Sequence, residues 1–224
     1  SLEKPPGSAF KPIIDYAPAL ELGYDEQSIL IDRPVDLNGY KPRNYDLKYR
    51  DTVTLKEAIT HSYNIPAVRL LHEIGIQTGK EYAQRFGFQI EAKEDYRIAL
   101  GYIRNGVSPA QMAQAYSTFE NKGMMNDLHL IRDVMLEEQH FFIDVNTQRV
   151  ISQESAEKMS ALLRSVVEEG TANKLTLPHP TAGKTGTTAS PIHPNLSEHM
   201  WFIGSTLNMT AAVWIGFDET PIEG

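Results

Sequence analysis

The chain has 224 residues, 41% hydrophobic and 22% charged, which suits one soluble globular domain with a continuous core. A net charge of −8 and a pI near 5.4 argue against a nucleic-acid partner, and the densest basic run, Lys41, Arg43, Lys48 and Arg50, is interleaved with Asp36, Asp46 and Asp51. The absence of cysteine removes disulfides and cysteine metal sites, and no apolar run reaches the roughly 18 residues needed to span a bilayer, so any membrane anchor is expected outside this chain.

Near the N-terminus, Gly7-Ser8-Ala9-Phe10-Lys11-Pro12 predicts a helix over about 8–20. Proline fits only the first turn of a helix, so Pro12 requires the helix to start close to Ser8, with Pro6-Gly7 leading in. Ser8 and Lys11 then share one face, and Ser8 sits at the positive end, where free backbone N–H groups can meet developing negative charge. A serine that can be activated, an adjacent amine and part of an oxyanion hole thus fall within six residues. Ser-x-x-Lys alone is not specific. It recurs at Ser1…Lys4, at a frayed end running into Pro5-Pro6, and at Ser155…Lys158, expected on a solvated helix face.

Gly23 to Thr52 is expected to be long and irregular, with turn signals at Pro34, Asn38-Gly39, Pro42 and Asn44. Its Tyr40, Tyr45 and Tyr49 either line a groove or pin the loop down. Thr54-Leu55-Lys56-Glu57 predicts a capping box, and the apolar stripe Leu55, Ala58, Ile59 brings Ser62 onto the buried face. Ile65-Pro66 restarts a helix through Val68, Leu71 and Ile74, stopped by Gly75, so Asn64 falls at a helix junction from which its amide can enter a cleft. Two packing helices follow, one from Thr78-x-x-Glu81 to Gly87, the other from Ser108-Pro109-x-Gln111 to Gly123 with Met112, Ala115, Tyr116 and Phe119 inward. Met124 to Ile151 reads as a hairpin, strand-like at 130–135 and 141–145 with its turn at Asn146-Thr147. Ser152 caps a longer helix with Met159, Leu162, Leu163, Val166 and Val167 inward, ended by Gly170. Strands are predicted at 181–188, 201–206 and 210–217, with a loop at 189–200 and a tight turn at Leu207-Asn208-Met209. His179, His193 and His199 are expected to be solvated loop histidines, and neither a metal nor a cofactor is expected.

Three features now stand in order: Ser8-x-x-Lys11, Ser62-x-Asn64 and Lys184-Thr185-Gly186. That trio marks penicillin-binding proteins and class A β-lactamases. Over essentially its whole length the chain resembles the transpeptidase domain of class A, bifunctional penicillin-binding proteins. Gly106-Val107-Ser108-Pro109, Gly170-Thr171-Ala172, Trp201-Phe202-Ile203-Gly204 and Val213 through Asp218 add to the trio. Two positions depart from the family pattern: Ala9 stands where a hydroxyl residue is frequent, and His199 where an aspartate is more usual.

The resemblance implies a mixed α+β fold, mostly antiparallel sheet flanked by a helical subdomain. Residues 1–224 would form one transpeptidase domain with no glycosyltransferase domain in this chain. In the family, strands of the central sheet precede the serine helix. Only seven residues precede Ser8, so those strands are expected elsewhere, in a truncated remainder or a separate piece. By the same resemblance Ser8 is the nucleophile that forms an acyl-enzyme. Lys11 is its base, provided its pKa is lowered, with Lys184 a suitable cationic neighbour. Ser62 relays a proton to the leaving amine, and Asn64 binds the substrate amide. Lys184, Thr185 and Thr187 suit a terminal carboxylate, and Gly186 leaves room for an extended peptide beside the strand. The N–H groups of Ser8 and Thr187 form the oxyanion hole.

The expected partners are peptidoglycan stem peptides on lipid II-derived glycan strands, β-lactams as substrate mimics, and the N-terminal remainder of the same domain. The expected place is the extracytoplasmic face of the bacterial membrane. A carboxypeptidase, a β-lactamase drawing on the Glu169…Asn173 spacing, and a non-catalytic β-lactam sensor are the competing readings.

Overall fold

The computed structural model describes residues 3–136, 139–189 and 196–217; the expectations placed on Ser1, His193 and Asp218 lie outside the described residues. The first helical segment is not a uniform α-helix. It opens as a 3-10 turn (Gly7–Phe10), widens into a π turn (Pro12–Tyr16) and closes as α1 (Ala17–Glu21). Pro12 and Pro18 have no N–H to give the regular ladder, and the bonds shift accordingly: Lys11 N–H reaches back to Ser8, Ala17 N–H to Pro12. This segment is the centre of the core, with Ala9, Phe10, Lys11, Ile13, Ile14, Asp15, Tyr16 and Ala17 all fully buried.

The stretch after it contains regular structure that its turn residues conceal. β1 (Ile29–Asp32) pairs antiparallel with β2 (Asp51–Thr54) and closes the 33–50 excursion at its base. Four residues with Leu30 and Asp32 inward, Ile29 and Ile31 outward, are too short a run to stand out.

The capping box at Thr54 forms as expected and opens α2 (Leu55–Thr60); α3 (Asn64–Ile74) follows after a sharp corner. α4 (Ile76–Arg85) begins directly after Gly75, at φ 91°, so Thr78 lies inside the helix and is not its cap. A 3-10 turn (Tyr96–Leu100) leads to α5 (Pro109–Glu120), whose Ser108/Gln111 capping box and inward Met112, Ala115, Tyr116 and Phe119 match the sequence pattern.

Residues 124–151 hold two nested antiparallel pairs. β3 (Met124–Asn126) pairs with β6 (Thr147–Arg149), and β4 (Asp133–Leu136) with β5 (Gln139–Phe142). Thr147 is therefore strand, and in the inner pair Leu136 stands opposite Gln139. The inner pair is exposed on both faces, so no alternation marked its register.

In α6 (Gln153–Glu168) Ser155 turns inward to the Ser152 cap, while Lys158 stays on the surface with Glu154. Val167 is only half-buried. Ser165 takes an inward place, its Oγ 2.5 Å from Thr60 Oγ1.

The last three strands form one antiparallel sheet in the order β7 (Ala182–Ala189), β8 (Ser197–Ser205), β9 (Thr210–Gly216). β8 starts earlier than expected, so His199 is a buried strand residue packed on Trp214, whereas His179 is exposed. No three potential metal ligands gather among the described residues. The whole is the mixed α+β, antiparallel architecture that the sequence implied.

Glycines let β7 press onto the serine turn. Gly7 has φ +55°, and a Cβ on it would lie 2.6 Å from the Thr187 carbonyl oxygen. Gly101, at φ +75°, backs the same turn, and a Cβ there would overlap the Gly7 carbonyl. Gly101→Ala is expected to lower unfolding free energy by about 2–4 kcal/mol, read from the denaturant midpoint, because it adds both a backbone clash and a left-handed side chain.

Candidate active site

The α2–α3 corner is a Schellman motif. Tyr63 N–H donates to Ala58 O and Ser62 N–H to Ile59 O, placing Ser62 where a left-handed residue, usually glycine, ends a helix. Ser62 adopts φ 57° there, and the turn aims its hydroxyl inward.

Lys11 locks this corner. Its Nζ donates to Ser62 O at 2.8 Å, Tyr63 O at 3.0 Å and Asn64 Oδ1 at 2.8 Å, and lies 3.3 Å from Ser62 Oγ. Lys184, from β7, approaches the same hydroxyl from the other side, at 2.8 Å, and also donates to Thr185 O. Both lysines are fully buried. Burial lowers the Lys11 pKa to about 7, against an opposing pull from Asp15. Lys184 is pushed well below the ordinary lysine value by burial first and by Lys11 second. The Ser62 hydroxyl thus sits between two amines whose charged forms are disfavoured.

Asn44, a residue the sequence offered only as a turn signal, holds the far side of the corner. Its Oδ1 accepts from the N–H groups of Asn64 and Ile65, and its Nδ2 donates to Asp32 Oδ1 and Lys48 O. Asp32 is itself fully buried and accepts from Arg50 N–H as well. The 33–50 excursion is therefore a strut for the start of α3. Asn64 Nδ2 donates back to Arg43 O, and Arg50 lies over the Tyr63 ring at 3.8 Å.

In front of this cluster lies a cavity of about 550 Å³. Of the residues singled out from sequence, Ser8, Ser62, Asn64, Thr185 and Thr187 line it. Lys11 and Lys184 lie buried and meet it through Ser62. Gly186 faces the Pro6 carbonyl and Ala9, where any side chain would collide with the serine turn. Ser8 Oγ makes no hydrogen bond among the described residues. Tyr45 lines the cavity as one of the three loop tyrosines, while Tyr40 packs against the core and Tyr49 is exposed.

Tyr102 and Thr171 also line the cavity. Thr171 Oγ1 lies 2.6 Å from Thr185 Oγ1, and its position follows from Gly170, whose hydrogen occupies space against Thr60 O. Tyr102 carries no sequence signal beyond following a left-handed glycine. Glu169 pairs with Lys56 at 2.9 Å on the surface and is not among the cavity residues.

The family model for the penicillin binding protein transpeptidase domain matches residues 3–218. The chain belongs to that family. The transpeptidase domain is 38% identical over 218 residues to penicillin-binding protein 1F of Bacillus subtilis, covering 96% of this chain and 30% of that protein. It is 32% identical to penicillin-binding protein 2a of Streptococcus pneumoniae, covering 97% and 30%. The chain thus spans about a third of the length of such relatives. Among solved structures it superposes on penicillin-binding protein 1A from Haemophilus influenzae with a TM-score of 0.83 at 26% identity, over 96% of this chain and 38% of that one. Penicillin-binding protein A from Mycobacterium tuberculosis, solved as a penicillin G acyl-enzyme complex, shares the fold with a TM-score of 0.82 at 24% identity, over 95% and 55%.

Asn44→Ala would strand two backbone donors and one buried carboxylate partner. It is expected to cost the transpeptidase domain about 2–3 kcal/mol in chemical denaturation while far-UV circular dichroism stays unchanged.

Proposed function

We propose that the domain cross-links peptidoglycan by transferring a D-alanyl stem-peptide acyl group through Ser8. The observation that carries this reading is the Ser62 hydroxyl held between Lys11 Nζ at 3.3 Å and Lys184 Nζ at 2.8 Å, beside the cavity that Ser8 lines. Ser8 Oγ attacks the carbonyl carbon of the penultimate D-Ala, and Lys11 takes the hydroxyl proton. The N–H groups of Ser8 and Thr187 receive the oxyanion, at a typical gain of about 3 kcal/mol per donor. The proton passes through Ser62 Oγ to the departing D-Ala nitrogen, and the C–N bond breaks. An amine of a second stem peptide then attacks the ester, gives its proton back along the same route and releases Ser8.

Thr185 and Thr187, with Lys184 behind them, take the terminal carboxylate, and Asn64 orients the substrate amide. β7 is an edge of its sheet, so an extended peptide has an open row of backbone groups beside it. Penicillins mimic the donor and acylate Ser8, as the acyl-enzyme solved for the M. tuberculosis protein supports. The surface position of Glu169 speaks against β-lactam hydrolysis as the main activity.

The parent protein, in this reading, is a class A penicillin-binding protein with a glycosyltransferase domain of its own, working on lipid II-derived strands at the extracytoplasmic membrane face. No helix among the described residues is long and apolar enough to cross a membrane. β9 is the other edge of its sheet and exposes Val213, Ile215 and, just beyond, Phe217; we assign that face to further elements of the same domain.

Penicillin treatment of the folded domain is expected to add one mass to the Ser8 peptide and none after Ser8→Ala; an adduct elsewhere, or none, overturns the assignment. Acylation should quicken as pH rises through about 7, because Lys11 serves as a base only after losing its proton. A donor and an acceptor peptide should give a cross-linked dimer, whereas hydrolysis alone would make the domain a carboxypeptidase.

A further inference from the structure

Asp15 takes no part in the reaction described above, yet it is completely buried and neither carboxyl oxygen has a hydrogen-bond partner. An ionised carboxylate in that position is unstable without a nearby cation. Lys11 lies four residues earlier, across the π turn Pro12–Tyr16, which sets both side chains on one side of the segment. Lys11 Nζ is committed to the oxygens of Ser62, Tyr63 and Asn64, so the two groups act on each other through space.

Asp15 pulls the Lys11 pKa up and Lys11 pulls that of Asp15 down, each against a larger opposing push from burial. Lys11 is the cation that acts on the Asp15 carboxyl. Tyr16, whose hydroxyl is also unpartnered, and Tyr40 from the 33–50 excursion are raised by burial and also by the Asp15 charge. Lys80 of the neighbouring α4 donates to Ala92 O and Glu94 O. Lys184 of β7 only repels Lys11.

We propose that Asp15 is the buried counter-charge of Lys11, a positioning residue that makes the lysine's ammonium form tolerable during the proton transfers; this rests on the transpeptidase reading. When Ser8 gives its proton to Lys11, positive charge appears beside Lys184 on a fully buried amine. In this proposal Asp15 keeps its carboxylate charge at that moment, held by the pull of Lys11 against the push of its own burial, and exchanges no proton itself. With no hydrogen-bond partner of its own, the carboxylate has only the through-space pull of Lys11 to offset its burial.

Asp15→Asn preserves shape and removes the charge. The Lys11 titration, followed through its 13Cε resonance, is expected to fall by about one pH unit, since an opposite charge nearby moves a pKa by about 1–3 units. The acid limb of β-lactam acylation should move down with it. The plateau rate should drop roughly tenfold while the non-covalent Kd stays put, because the charged state that must deliver the proton is harder to form. An unchanged Lys11 titration in the folded variant overturns the proposal. Should the variant not fold, the wild type decides: a coupled pair shows both titration steps in the Asp15 carboxyl and Lys11 13Cε signals alike, and single independent inflections overturn it. A folded wild type that β-lactams do not acylate counts against the transpeptidase reading, and the resonance titrations still decide the role of Asp15.

Discussion

A primary amine taken fully out of water must find acceptors for its N–H groups or give up its proton, and Lys11 meets both demands at once. Its Nζ gathers two backbone carbonyls and an amide oxygen from the corner between α2 and α3, which joins the first helical segment to residues more than fifty positions later in the chain. The same burial brings its pKa to about 7. The contact that fixes the geometry of the site is therefore the contact that sets its acid–base chemistry. Lys184 closes the arrangement from β7, and its approach depends on the glycines that let the strand press against the serine turn.

Much of this was legible in sequence because the signals are local. The Thr54 and Ser108 capping boxes, the proline in the first turn and the glycines after helices each act over three or four residues, and each appears where expected. The failures share a physical cause as well. β1 and β2 are four-residue strands joined by an eighteen-residue excursion, and only their pairing makes them strands. The nested pairs at 124–149 lie largely at the surface, so neither face carries an apolar rhythm. Ser155 reads as a surface hydroxyl until its bond to the Ser152 cap is seen.

The candidate site followed the same division. Ser8, Ser62, Asn64 and the Lys184 strand belong to short motifs and were found. Asn44 was not, because its importance lies in satisfying the N–H groups of Asn64 and Ile65 across twenty residues, a long-range requirement without a local pattern. Tyr102 escaped for a similar reason: it reaches the cavity only because Gly101 folds tightly onto the Gly7 turn. Asp15 is the reverse case, a charged residue inside an apolar run whose oddity shows in sequence but whose meaning needs the lysine one turn before it.

The left-handed backbone of Ser62 has one more implication. A glycine at that position would relax the backbone by about 1 kcal/mol, yet take from the buried Lys184 Nζ its hydroxyl acceptor, a loss of about 1–3 kcal/mol. Backbone strain and the hydrogen-bonding need of a buried amine therefore pull this one position in opposite directions, and a strained serine is what satisfies the amine.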